Sequence, residues 1–424
     1  MLEAILDIRN ITYAQKQVCS NKGAGGVDGM QTDELRDFMS THWSCFKEAL
    51  LSGTYQPAAV RKVEIPKPQG GTRMLGIPTV KDRLIQQGIA QWMSGLWEND
   101  FHSNSYGFRP HKNAHQAVLQ SQCYLNEGKT YVVELDLAKF FDVVNHDKLM
   151  SILSRKITDK RTLKLIGQYL RSEIMADGVS SQRTAGTPQG SPLSPLLSNI
   201  LLNELDVELT NRELSFVRYA DDCSIYVKSA KSAARVMRSI THYLEDKLLL
   251  KVNREKSKIN RPLQSSLLGF SFYKTGGVWH IRAADKSVKR IKEKVKTMLP
   301  RNSAQQVKTK MAMLDAIVRG WVQYFQLGAI KSICKRLDEL LRSRVRKLYW
   351  QKWQKIKTRL RNLVKLGVPR WRAYQWSNTS KGASRTAHSP ILQQSLSNEV
   401  LSKYGLPSFY QTYHNNVEVQ LNLF

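Results

Sequence analysis

The sequence predicts a mixed α/β (α+β) chain over its first two-thirds, followed by a helical and strongly basic segment. Three observations carry that expectation. β-rich runs at 131–137 (YVVELDL) and 216–227 (FVRYADDCSIYV) alternate with helix-like stretches at 79–97 and 193–210. Gly/Pro clusters at 65–78 (IPKPQGGTRMLGIP) and 186–195 (GTPQGSPLSP) punctuate these elements as loops. From Lys286 to Arg372 there are 25 Lys and Arg against four acids, Glu293, Asp315, Asp338 and Glu339.

The basic segment reads as helical because its apolar residues recur at three- and four-residue spacing: Leu314, Ile317, Trp321 and Phe325, then Ile333, Leu337, Leu341, Val345 and Leu348. Arg342 and Arg346 are i,i+4 neighbours expected on one face away from that stripe, with Arg344 and Lys347 in the same run. The whole 424-residue chain has a formal charge of +30, of which this segment holds +21. A solvated helix surface would explain one such helix. Several of them, nearly without acids, fit a surface that tracks phosphates.

Composition narrows the classes. At 42% hydrophobic residues the chain can build a core, which excludes a disordered basic protein. The excess charge calls for a polyanion, either nucleic acid or an anionic membrane surface. No window approaches the ~18–20 apolar residues of a membrane-spanning helix. Glu3 and Asp7, with no apolar run behind them, argue against a signal peptide. Five scattered cysteines without a C-x-x-C pair suit a reducing, cytoplasmic setting.

Two acidic positions stand out because strands deliver them. Asp136 ends the run Tyr131–Leu137, and Asp221–Asp222 sit between apolar strand residues. A carboxylate at the end of a half-buried strand is costly unless it is paired or ligates a cation. Mg²⁺ favours one or two carboxylates plus substrate phosphates. Two such ions ~3.5–4 Å apart activate a 3′-hydroxyl and stabilise leaving pyrophosphate. An Asp-Asp pair alone is more often a hairpin turn. With Asp136 and the excess of positive charge it points to metal-assisted phosphoryl transfer. Arg61, Lys62, Lys67, Arg73, Lys81 and Arg83 are then available to hold a triphosphate.

Eight segments in order carry a family resemblance: GAGGVDG (23–29), IPKPQGGTRMLGIPTVKDRLIQQ (65–87), SYGFRP (105–110), ELDLAKFFDVVNHDKL (134–149), GTPQGSPLSPLLSNILLNELD (186–206), RYADD (218–222), LKVNREKSKI (250–259) and LLGFSF (267–272). They resemble the reverse-transcriptase blocks of bacterial group II intron-encoded proteins. The resemblance implies a right-hand polymerase: an N-terminal extension (1–55), fingers (56–130), a palm (131–275, with a fingers insertion around 150–190), a basic helical thumb (276–362) and a DNA-binding segment (363–424). It implies RNA-templated DNA synthesis with dNTPs on an RNA template with a DNA primer. It also implies a maturase role on intron RNA, action on target DNA, and two Mg²⁺ ions for which Mn²⁺ can substitute.

Residue by residue, Asp136, Asp221 and Asp222 match the family's catalytic, metal-binding aspartates, and Leu137 adds its carbonyl. Phe141 matches the steric gate against a 2′-hydroxyl. Pro188 and Gln189 match the loop against the incoming nucleotide, Lys67 and Arg73 the triphosphate grip, and Lys256 a proton donor to pyrophosphate. Arg342, Arg344, Arg346 and Lys347 would contact nucleic acid.

The residues themselves agree in part. Phe140 and Phe141 side by side cannot both face a core, and Gly190 suits close approach to a ligand. Arg109 reads as a structural ion-pair partner. The pair His111 and His115 lacks the Glu of a zinc protease, and His414–Asn416 lacks the other residues of an HNH nuclease. The chain thus resembles the shorter class without an endonuclease domain. A domesticated relative in DNA repair or phage defence, and a non-catalytic RNA-binding maturase, stay open as alternatives. An RNA-dependent RNA polymerase would not want a ring at Phe141.

Overall fold

The computed structural model describes residues 1–66, 71–176, 179–181, 185–188, 190–300 and 307–421, in two compact units, Met1–Ser265 and Ser266–Phe424. Lys67 and Gln189 lie outside the described residues.

Two sheets organise the first unit. One has the strand order β2-β1-β4-β5, built from β1 (Val60–Pro66), β2 (Thr72–Ile77), β4 (Ile174–Ala176) and β5 (Val179–Ser181). β1 and β2 are antiparallel with Ile65 opposite Arg73, and β4 joins β1 in parallel. The insertion expected around 150–190 thus completes the sheet begun by residues 60–77.

The other sheet has the order β6-β7-β3-β8, from β3 (Tyr131–Leu135), β6 (Ser215–Tyr219), β7 (Asp222–Val227) and β8 (Lys258–Asn260), with every pairing antiparallel. Its central strands β3 and β7 bury Val132, Val133 and Ile225, and the edge strand β6 buries Phe216 and Val217. The helix Ala230–His242 lies against β3 and β7 and turns Ala233, Val236 and Ile240 inward at helical spacing. The helix Val80–Trp97 begins at Thr79, whose hydroxyl accepts the Asp82 N–H, and it packs on the N-terminal helix Ile8–Ser20.

The second unit starts with a three-stranded sheet, β11-β10-β9, from β9 (Ser266–Leu267), β10 (Phe270–Thr275) and β11 (Val278–Ala283). The helices Asp285–Met298, Val307–Phe325 and Lys331–Lys352 follow, then a series of shorter ones. The stripe expected on Lys331–Lys352 is buried at Leu337, Leu341, Val345 and Leu348, and that on Val307–Phe325 departs from expectation in its middle. Leu314, Val318, Val322 and Phe325 are buried, whereas Ile317 and Trp321 are only half covered; Cys334 is buried and Ile333 half-buried.

Two expected boundaries move. The compact units part at 265/266 and not at 275/276, because β10 pairs with β11 on one side and β9 on the other. The division expected at 362/363 falls inside the continuous helix Ile356–Lys365. The last helix, Phe409–Leu421, is pinned to Lys331–Lys352 by the buried Asp338. Its carboxylate accepts from Ser408 Oγ and the Phe409 N–H at 2.7 Å and from the Tyr410 N–H at 3.1 Å, a helix N-terminus capped from another helix. Among the described residues no helix is long and apolar enough to cross a membrane.

Candidate active site

The ladder between β3 and β7 ends with Leu135 opposite Cys223, so the next residue of β3 emerges beside the start of β7. Tyr219 pairs with Asp222, which leaves only Ala220 and Asp221 to turn the hairpin. Asp136, Asp221 and Asp222 are therefore gathered at one end of the sheet, and the structure brings the expected triad together. Ala220 holds φ 57°, a region that costs a side-chain-bearing residue energy and persists only where its surroundings enforce it.

Those surroundings centre on Arg218, which is wholly buried with Asp206. Its guanidinium donates Nε to Asp206 Oδ1 (2.7 Å), Nη2 to Asp206 Oδ2 (2.5 Å) and to Ser105 Oγ (2.7 Å), and Nη1 to Asn199 Oδ1 (2.9 Å) and the Ala220 carbonyl (3.0 Å). Asn199 in turn donates to the Gly107 carbonyl at 2.8 Å. A Cβ at Gly107 would lie 2.3 Å from Ala220 N, so this position admits only glycine.

Backbone pairing also aims the Leu137 carbonyl. Leu137 bridges Val252, and the flanking bonds are Ala138 N–H to Lys251 O and Asn253 N–H to Asp136 O, each 2.8 Å. Leu137 is thus a non-hydrogen-bonded pair member, and its own C=O points away from residues 251–253.

The triad opens on a cavity of about 1170 Å³. Four cations line it, Arg73, Arg83, Lys139 and Lys256, against four carboxylates, Asp136, Asp142, Asp221 and Asp222. This local balance contrasts with the strongly basic chain. The Lys256 ammonium lies 3.9 Å from Asp136 Oδ2 and is largely exposed. Arg73 stands exposed on β2, and its charge offsets part of the upward push on Asp221.

Other cations expected at the triphosphate are used elsewhere. Lys62 pairs with Glu64 and Lys81 with Asp28, while Arg83 reaches the cleft but donates Nη2 to the Ala24 carbonyl at 2.7 Å. Arg109 is structural as expected, paired with Glu98 at 2.7 Å.

The loop 186–195 supports the neighbouring ring. Thr187 N–H donates to the Phe141 carbonyl at 2.6 Å, and His146 Nε2 bonds the Gly186 carbonyl at 2.7 Å. Both rings line the cleft; Phe140 is buried in the core, and Phe141 is half-buried against its edge. One expectation needs correcting. Pro188 is buried and does not line the cleft; its carbonyl accepts from Ser194 Oγ at 2.8 Å, so it braces the loop. Gly190, at φ 117°, lines the cleft and also approaches protein closely, since a Cβ there would lie 2.8 Å from the Gly76 carbonyl.

The carboxylates repel one another. Partial burial, then the charges of Asp221, Asp136 and Glu134, push the Asp222 carboxyl up to about 6. Burial and Asp136 also raise Asp221, against a backbone hydrogen bond and Arg73. Glu134 is a carboxylate that motif reading passed over. It lies two residues before Asp136 and so shares its strand face, where it accepts from Asn260 Nδ2 (2.8 Å) and Ser265 Oγ (2.6 Å).

Among the described residues no group of three or more His, Cys, Asp or Glu side chains is placed to hold a metal ion by itself. An open set of mutually repelling aspartates beside a carbonyl is nevertheless what a hard cation completed by substrate phosphates requires, and the donors fit it. A raised carboxyl pKa makes the fold more stable below about pH 4, where the group is protonated folded and unfolded alike, and that contribution is lost as pH rises through about 6. Without divalent metal, Asp222→Asn is therefore expected to melt higher than the wild type at pH 7–8 and to converge with it near pH 4. Scanning calorimetry in EDTA reads this.

The arginines of the basic segment divide. Arg346 is buried, donates Nε to the Leu396 carbonyl (2.9 Å) and Nη2 to Asn398 Oδ1 (3.2 Å), and so does not contact nucleic acid as its spacing suggested. The chain near 396–398 covers that face of the helix. Arg342, Arg344 and Lys347 keep partial exposure. Charge reversal at Arg342 should flatten the salt dependence of nucleic-acid binding, by about one counterion. Arg346→Met should leave that slope unchanged and cost about 1–3 kcal/mol of stability for the orphaned Leu396 carbonyl, read by denaturant titration.

An antiparallel sheet that gathers three aspartates at a cleft where four cations meet four carboxylates has the make-up of the palm of a nucleotide-polymerising enzyme. Residues 65–272 match the reverse transcriptase (RNA-dependent DNA polymerase) family, and residues 288–367 match the group II intron, maturase-specific domain. The chain is 34% identical to Protein YkfC of Escherichia coli (strain K12), over 61% of this chain and 78% of that one. It is 27% identical to the group II intron-encoded protein LtrA of Lactococcus lactis subsp. cremoris, over 62% of this chain and 54% of that one. It is 25% identical to the putative COX1/OXI3 intron 2 protein of Saccharomyces cerevisiae, over 64% and 38%. The chain thus spans about half or less of the latter two. It belongs to the group II intron-type reverse transcriptases/maturases, a family of RNA-directed DNA polymerases with a right-hand fold that act on nucleic acid and depend on divalent metal.

Proposed function

We propose that the chain copies an RNA template into DNA from a DNA primer, with Asp136, Asp221 and Asp222 and the Leu137 carbonyl holding two Mg²⁺ ions, for which Mn²⁺ can substitute. The observation that carries this reading is the convergence of the three aspartates at one strand end, where Asp222 is pushed up to about 6 by its neighbours. When bound, the ions supply activation of the primer 3′-hydroxyl and neutralisation of the pyrophosphate. The protein contributes position and charge. Arg73 meets the triphosphate, with Lys67 and Gln189 expected beside it. Lys256 stands next to Asp136, placed to give a proton to the departing pyrophosphate. Phe141 lies under the sugar and leaves no room for a 2′-hydroxyl. Intact aspartates favour an active polymerase over a purely RNA-binding maturase.

Residues 56–130 with the 150–190 insertion serve as fingers, the β6-β7-β3-β8 sheet as palm, and the basic helices after it as thumb, where Arg342, Arg344 and Lys347 meet phosphates. The second role is maturase action: binding the host intron RNA, with target DNA as the later substrate. Primer extension tests the first role. Wild type with dNTPs and Mg²⁺ should make cDNA on an RNA template, and no product would end the catalytic reading. In the same assay Phe141→Ala should raise the rNTP-to-dNTP ratio of kcat/KM about ten-fold or more. Unchanged sugar discrimination would remove Phe141 from the gate.

A further inference from the structure

The second unit carries a cavity of about 490 Å³ that the polymerase reading does not use. Its walls come from the ends of three helices. Tyr349 and Trp353 lie at the end of Lys331–Lys352, Asn362 and Lys365 on Ile356–Lys365, and Lys403 and Tyr404 at the end of Asn398–Lys403. No acidic residue lines it.

The chemistry of this wall selects a ligand. The Tyr349 ring lies 6.1 Å from Trp353 and 6.3 Å from Tyr404, centroid to centroid, tilted 53° and 42°. At that spacing and tilt Tyr349 and Tyr404 already pack against each other, with no slot between them for a third ring. Tyr404 is 45% exposed and offers its uncovered ring surface to the pocket. All three helices present their C-terminal ends here, where partial negative charge disfavours a bare phosphate. The same ends suit the N–H edges of a base. Lys365 and Lys403 are exposed at the last turns of their helices, where they can meet the phosphates on either side.

We propose that this pocket captures a single unstacked base of a nucleic-acid strand, the base stacked on the exposed Tyr404 ring beside Tyr349 and its flanking phosphates on Lys365 and Lys403. Single-stranded nucleic acids are held in this way, by aromatic platforms and nearby cations. The proposal rests on the maturase reading only in taking nucleic acid as the partner, and it is independent of the palm aspartates.

The test uses the full chain and single-stranded dodecamers carrying one 5-iodouracil, as RNA and as DNA of the same sequence. Irradiation should cross-link the base to Tyr349 or Tyr404. Tyr404→Ala should lose that cross-link and weaken binding about ten-fold, while Tyr404→Phe keeps both. The double variant Lys365→Gln/Lys403→Gln, at exposed positions that leave the fold alone, should weaken binding and lower its salt dependence. Equal effects on RNA and DNA would identify the base and phosphates as the recognised groups; effects on RNA alone would add the 2′-hydroxyl and intron RNA as the source. Cross-links elsewhere, or unchanged binding in both the Tyr404→Ala and the double-lysine variants, would overturn the pocket. Primer extension on an annealed duplex should be unaffected in these variants, so a failure of the polymerase reading is scored separately.

Discussion

Asp221→Asn combined with Asp222→Asn is expected to abolish cDNA synthesis, a loss of at least about 10³-fold in kcat, while the protein remains folded and binds template–primer. The expectation follows from what the turn does. Each carboxylate sits at the end of a strand whose register is fixed by paired neighbours, so substitution removes charge and leaves position unaltered. The amide relieves repulsion among Asp221, Asp222, Asp136 and Glu134, and so the inactive variant should be no less stable than the wild type in the absence of metal. Loss of activity with an unchanged or raised melting temperature distinguishes a metal-holding role from a structural one. Single-turnover extension beside thermal denaturation reads both. A variant that kept even a tenth of the wild-type rate would show that the reacting groups are held elsewhere.

The aspartates were legible in sequence because carboxylates are rare at the ends of apolar strands, and a two-residue hairpin leaves few places for them to point. What stayed hidden depends on chain that sequence spacing does not place. Arg346 lies on a helix face that looks solvated until the residues near Leu396 cover it. Pro188 sits in a motif that resembles a nucleotide contact, yet its ring is buried below β2. Glu134 could have been found from the two-residue period of its strand, which puts it on the face of Asp136. In the basic segment the stripe Leu337, Leu341, Val345 and Leu348 is buried as its spacing implies, whereas on Val307–Phe325 Val318 and Val322 take the core positions beside Ile317 and Trp321, apolar neighbours that spacing alone does not separate.

Arg218 is the residue whose importance only tertiary structure reveals, and it yields the second large effect. Strand neighbours Phe216 and Val217 are buried, so a guanidinium between them and the turn must be satisfied inside the protein. Asp206, Asn199 and Ser105 arrive from a helix and a loop to do so, and the same guanidinium bonds the Ala220 carbonyl. Breaking the buried pair by Asp206→Asn should cost about 3–5 kcal/mol, because it leaves Arg218 charged and half satisfied. Arg218→Lys cannot reproduce the five bonds of the planar fork, so it should also lower stability. It should additionally release the strained Ala220 and let the two aspartates drift from the cleft. Positions off by about 1 Å cost roughly a hundred-fold in rate, so kcat at a temperature where Arg218→Lys is still folded should fall far more than the dNTP KM rises. If kcat in that folded variant matched the wild type, the network would support the fold without setting the geometry of the turn.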